Sequence, residues 1–186
     1  MKRIIFSGII LLLIGFFALF LFLSTIPDKE VYFYKTAKFC SSATKQLMKS
    51  PSSYKELKLS LMYKKESNDK LREKIAGKDY FQDAYENGKL SLYRVISFVN
   101  YEAKNGFGVD LKNSSICYFD AILIGNDHFM SPDFDKMIIS NKIYSDIDLM
   151  TSTENFHSSL FDISKISNFD KISYQINKNN FRYYEN

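Results

Sequence analysis

The sequence predicts an α+β fold: an N-terminal transmembrane helix, then a helix packed on a small antiparallel sheet, then a partly helical C-terminal extension. Three observations lead there. Residues 4–26 carry no charge. Residues 31–49 place apolar side chains at helical spacing, and those after Leu57 alternate at strand spacing. Beyond Gly125 the texture shifts to Ser, Asn, Asp, Ile and Lys. The 186 residues therefore divide into a cytoplasmic tail (1–3), a transmembrane helix (4–26), an α+β domain (27–125) with a charged insertion near 64–89, and the extension (126–186).

The first element rests on length. At about 1.5 Å per residue, a helix from Ile4 to Ile26 spans a hydrocarbon core of about 30 Å. A cleavable signal peptide is the competing reading. Its apolar region runs to only about 7–15 residues and ends at small residues, whereas this run is longer and exits through Leu-Ser-Thr-Ile-Pro. Lys2 and Arg3 precede the block, so the positive-inside rule keeps that end in the cytoplasm and exports the rest of the chain. These features predict a single-pass protein of the bacterial inner membrane. Its lipid partner is the bilayer, met through residues 4–26, and its C-terminal domain lies on the extracytoplasmic side.

The next elements follow from periodicity. Phe33, Ala37, Cys40, Thr44, Leu47 and Met48 fall on one face of a helix over Val31–Lys49. Ser50-Pro51 ends it, because the residue before proline is pushed out of the α region. Leu57, Leu59, Leu61 and Tyr63 alternate with polar neighbours as a half-buried strand. The charged stretch Lys64–Lys89 reads as a short helix and loop. Leu90–Ala103 is a second strand, Asn105-Gly106-Phe107-Gly108 a tight turn, and Val109–Ile124 a returning strand. In the extension, Ser131-Pro132-Asp133 has the form of a helix start. Thr151 or Ser152 begins a helix carrying Phe156, Leu160, Phe161 and Ile163. Ile172–Ile176 is a candidate final strand.

Two cysteines, Cys40 and Cys117, are an even count in a domain assigned to an oxidising compartment, and they predict a disulfide. Two buried thiols are the alternative. The net charge of +4 falls to +2 without Lys2 and Arg3, and basic residues are interspersed with acids. That balance gives no nucleic-acid footprint, so no nucleic-acid partner is expected.

Cys40, the phrase Lys45–Ser53 containing Lys-Ser-Pro-Ser, Asn105–Gly108 and Cys117 occur in an order that resembles a small uncharacterised domain of bacterial and phage-related proteins. The resemblance covers roughly residues 36–118. It departs from the pattern at the insertion 64–89 and in the tail after Tyr118. It implies an exported or membrane-tethered accessory domain and brings no catalytic residues.

Candidate chemistry is thin. His128 and His157 have no second ligand at metal spacing. Asp127, Asp133 and Asp135 cluster, but without the calcium-loop spacing, and the last two are explained as acids at a helix start. No nucleophile or phosphate-loop motif occurs. The expectation is therefore no catalytic residue, no cofactor and no metal. The predicted function is a membrane-anchored, non-enzymatic binding or accessory module of the bacterial cell envelope with an envelope protein as partner. An immunity or phage superinfection-exclusion protein is the alternative. An envelope hydrolase ranks third, for want of a convergent polar site.

Overall fold

The computed structural model describes residues 14–15, 21–125 and 128–185. Its centre is a seven-stranded mixed sheet ordered β6-β5-β3-β2-β1-β7, with β4 pairing beside β3. The strands are β1 (Lys55–Lys65), β2 (Leu90–Lys104), β3 (Asp110–Ile124), β4 (His128–Phe129), β5 (Asp133–Ile139), β6 (Lys142–Tyr144) and β7 (Phe181–Glu185). The predicted strand pair is present as the long hairpin β2–β3, in unbroken register from Leu90↔Ile124 to Lys104↔Asp110. β1 joins it antiparallel, with a bulge at Leu57 that leaves this leucine exposed while Leu59, Leu61 and Tyr63 turn inward.

The expectation of a small, wholly antiparallel sheet is corrected at both edges. β5 and β6 extend one side, and β7 pairs parallel to β1 on the other. Residues 126–186, read as an extension, supply all three of these strands. Asp133–Ile139 is a strand, not a helix. The Ser-Pro-Asp helix signal loses because Phe134, Met137 and Ile139 are buried, the last two at a strand's two-residue spacing, against β3. Ile172–Ile176 lies in a helix, and the final strand comes later.

The helices are α1 (Asp28–Gln46), α2 (Asn68–Ile75), α3 (Gln82–Glu86), α4 (Asp146–Ser152), α5 (Phe156–Ile163) and α6 (Asn168–Asn177). α1 lies on one face of the sheet, and α5 and α6 pack on its outer side. That sandwiching buries more of α1 than an amphipathic reading allows: Val31, Tyr32, Tyr34, Phe39 and Ala43 are buried along with Phe33, Ala37 and Cys40. Lys35 illustrates the difference. Its ammonium is covered by the C-terminal helices and bonds Asp162 O at 2.7 Å, Lys165 O at 2.6 Å and the Asp170 carboxylate at 3.1 Å. Asp170 also closes the capping box of α6 with Ser167. Burial opposes its charge, but the Ser167 hydrogen bonds and Lys35 outweigh that and hold its carboxyl below the usual range.

The transmembrane helix expected over 4–26 is not upheld. Among the described residues, no helix is long and apolar enough to cross a membrane. Residues 4–13 and 16–20 of that segment lie outside the described residues. At its end, Leu23 and Ile26 are buried in the same core cluster as α1 and the sheet, so these apolar side chains pack against protein.

The Cys40–Cys117 disulfide is present. Its Cα atoms lie 5.9 Å apart, both cysteines are fully buried, and the bridge fastens the middle of α1 to the middle of β3.

The C-terminal strand is fastened by ionisable groups. Glu30, in the first turn of α1, accepts from Tyr174 Oη at 2.6 Å and Tyr183 Oη at 2.8 Å. Tyr63 Oη donates to Glu185 at 2.9 Å. Burial, then the carboxylate bond and its charge, push Tyr63 and Tyr183 each from 10 up to about 12. A raised folded-state value means the folded chain holds these protons more tightly. Their stabilisation is complete below pH 10 and is lost as pH rises towards 12. Denaturant unfolding measured from about pH 8 to about pH 11.5 is expected to show this decline. The Tyr63→Phe/Tyr183→Phe variant should show a shallower one, from a start about 1–3 kcal/mol lower for the two lost hydrogen bonds. An unchanged slope in the double variant would remove these tyrosines as the cause.

Candidate functional site

A concavity with a largely apolar lining lies where α1 stops short of the sheet it covers. Leu47 caps α1, and the chain turns through Ser50-Pro51 into a single 3₁₀ turn (Pro51–Ser53). β2 and β3 run on beyond that point. Tyr101, Ala103 and Leu111 lie on the α1 side of the sheet beyond the end of α1; the Tyr54 ring stacks on Tyr101 at 5.5 Å, Ala103 is buried, and Leu111 is exposed. Met48, Ile139 and the hairpin residue Phe107 complete a cleft of about 540 Å³, and Lys49 and Lys104 stand at its lip. Ligand-sized pockets fall in this range.

Local bonding fixes both rims. Ser53 Oγ donates to Ser50 O at 2.8 Å and accepts from Lys104 N–H at 2.9 Å, which ties the 3₁₀ turn to the last residue of β2. Asn105 then folds the hairpin tip around its own side chain: Oδ1 accepts from the N–H groups of Phe107 at 2.9 Å and Val109 at 3.1 Å. Gly108 takes φ of 81°, where a side chain would be strained. The result holds Phe107 94% exposed at a buttressed tip, with Val109 and Leu111 also exposed. Across the cleft, Ser140 and Asn141 both have positive φ and form the two-residue turn between β5 and β6. Asn113 Nδ2 donates to Ser140 Oγ, joining this turn to β3.

The short motifs singled out in the sequence thus form one assembly. Cys40–Cys117 pins α1 to β3, the Lys-Ser-Pro-Ser turn clamps β2, and Asn105–Gly108 shapes the tip. The cleft itself was not legible beforehand, because Ile139 and Ser140 reach it from a segment read as helix.

A second concavity, of about 480 Å³, is polar. Lys74 of α2 lies 2.9 Å from Asp120 and 2.6 Å from Asp133, and Arg94 lies 2.9 Å from Asp120 and 3.0 Å from Asp135. Burial alone would lower the Lys74 ammonium, but hydrogen bonds and charge from Asp133 and Asp120 raise it above its ordinary value. Asp120 Oδ1 is buried and meets Arg94 Nε as a charge contact without hydrogen-bond geometry. These groups are spent on one another, and the network latches α2 to β2, β3 and β5. Asp133 and Asp135, expected as helix-start acids, are strand residues within it.

The remaining sequence candidates are dispersed. His128 is exposed on β4, and His157 is exposed on α5 with its ring 5.5 Å from Phe156. Asp127 lies outside the described residues. Among the described residues, no three His, Cys, Asp or Glu side chains converge as metal ligands. No family model, curated protein or solved structure matches this chain.

Proposed function

We propose that this protein is a non-enzymatic binding module of the bacterial cell envelope, acting on the extracytoplasmic side as an accessory to a larger assembly. The observation that carries the reading is the buttressed hairpin beside the apolar cleft. A fully presented aromatic next to an open apolar pocket is the arrangement found at the anchor points of protein interfaces. Lys49 and Lys104 at the lip suit a partner segment with an apolar side chain and an acidic neighbour. The buried disulfide supports the location, since structural disulfides persist in oxidising compartments.

A photo-crosslinking residue placed at Val109 in living cells tests this. One envelope protein should be captured in stoichiometric yield. Phe107→Ser with Leu111→Ser should cut that yield at least tenfold, the scale of a lost anchor, while the protein still accumulates with its disulfide formed. Undiminished capture by the double variant, or free thiols in freshly isolated protein, would overturn the reading.

A further inference from the structure

Among the described residues, the sheet face turned away from α1 is only half covered. α2 and the turn after it close one end, packing Leu71, Ile75 and Phe81 against Leu90, Leu92 and Ile122. Farther along the same strands, Met62, Ile96, Phe98, Ile116, Tyr118 and Ile138 share this face by register and belong to neither buried cluster. Each remains partly exposed. Tyr184 and Ile143, 52% and 63% exposed, carry the apolar surface to its two edges.

We infer that this shelf docks an amphipathic helix of a partner protein, one whose apolar stripe is bordered by acidic side chains. The site lies on the opposite face of the sheet from the hairpin cleft and does not depend on it. Shape favours a helix. Ile96 stands four residues from Leu92, about 13 Å along the strand, which is one helix diameter beyond the side chains that α2 covers. A second helix beside α2 would complete the layer that α2 begins.

Charge selects the border. Lys55, Lys58, Lys64, Lys112, Lys136 and Arg182 share this face by register, and beyond the α2 end the acids among them are Glu102 and, near the hairpin tip, Asp110. None of the six cations is ion-paired among the described residues. The acids at the α2 end are already held by Lys74 and Arg94. A second copy of this chain would set two basic rims against each other, which complementarity disfavours. Nucleic acid would need broad aromatic faces for stacking, and the centre of the shelf is largely aliphatic.

The test uses the full chain in a mild non-ionic detergent and two labelled helical probe peptides of about five turns, roughly 18 residues. One carries a leucine stripe bordered by Glu, and its twin carries Lys in place of each Glu. Fluorescence anisotropy should show the Glu peptide binding at least tenfold tighter than the Lys peptide. Ile96→Glu should abolish that preference. Lys64→Glu with Lys136→Glu, both on the surface of the shelf, should reverse it while far-ultraviolet circular dichroism and the disulfide stay unchanged. Equal binding of both peptides, insensitive to Ile96→Glu, would mean detergent partition and would overturn the inference. So would concentration-dependent dimerisation that Ile96→Glu abolishes, or binding of labelled oligo-dT that Lys64→Glu/Lys136→Glu removes.

Discussion

Replacing Cys40 or Cys117 by Ser is expected to lower the stability of the domain by about 4–5 kcal/mol. The bridge joins residues separated by 77 positions, and the loop-closure entropy removed from the unfolded chain by a link of that length reaches this size. Native packing adds to the effect, since both cysteines are fully buried between α1 and β3. The double Ser variant should cost little more than either single one, because one cut releases the loop entirely. Urea unfolding of the oxidised protein and the three variants checks the ordering. Melting temperatures should fall by roughly 10–15 °C, given about 2–4 °C per kcal/mol at this size. A single variant losing less than about 1 kcal/mol would mean that the unfolded chain is held together by other means. The same comparison bears on location, for a domain so dependent on its bridge would be marginal in a reducing compartment.

That disulfide was legible from the even cysteine count and from two strongly patterned segments. Cys40 lies three residues beyond Ala37 on a helix, and Cys117 lies in the run Ile116–Ile124, almost continuously apolar except for Asp120. The same strength made the long hairpin and its Asn105–Gly108 turn readable. After Gly125 the helix carrying Phe156, Leu160, Phe161 and Ile163 was legible and is present as α5, starting at Phe156; elsewhere in that segment legibility failed, because the deciding forces are long-range. Asp133–Ile139 begins with a good helix start, yet it becomes a strand because β3 offers an unpaired edge and a core waiting for Phe134, Met137 and Ile139. Ile172 and Ile176 are four apart, a helical spacing, and Tyr174 between them is buried against α1 and β7 through Tyr34 and Phe181. The parallel pairing of β7 with β1 joins the two ends of the domain and leaves no local trace. The N-terminal expectation failed differently. Hydropathy counts Leu23 and Ile26 as lipid-facing, whereas the domain core takes them. The cleft and the basic shelf share that illegibility, since each is assembled from segments far apart in sequence.

Phe33→Ala should destabilise the protein by about 3–5 kcal/mol, the usual cost of emptying a fully buried phenylalanine site. Phe33 has no exposed surface and is the point where the first helix meets the C-terminal strand. Its ring stacks on Tyr63 of β1 at 4.4 Å and meets Tyr32 at 5.8 Å, Phe129 of β4 at 5.8 Å and Tyr183 of β7 at 6.1 Å. The Lys29 ammonium rests over this cluster, 4.5 Å from the Tyr63 ring centre and 5.8 Å from that of Phe33. Removing the ring leaves a void beneath a cation, so water should enter and part of the cation–π attraction should be lost with the packing. Among the described residues β7 has only β1 as a strand neighbour, and it grips α1 through Phe181 on Tyr34 and through Tyr183, which meets both this cluster and Glu30. Amide exchange in Phe181–Glu185 should therefore accelerate more than exchange in β2 or β3, which the hairpin register protects. Phe107→Ala supplies the contrast: the same atoms removed from a 94% exposed site should change stability by no more than about 0.5 kcal/mol. Equal losses from the two substitutions in urea unfolding would refute the central place of Phe33 in the fold, as would exchange that accelerates uniformly across the sheet.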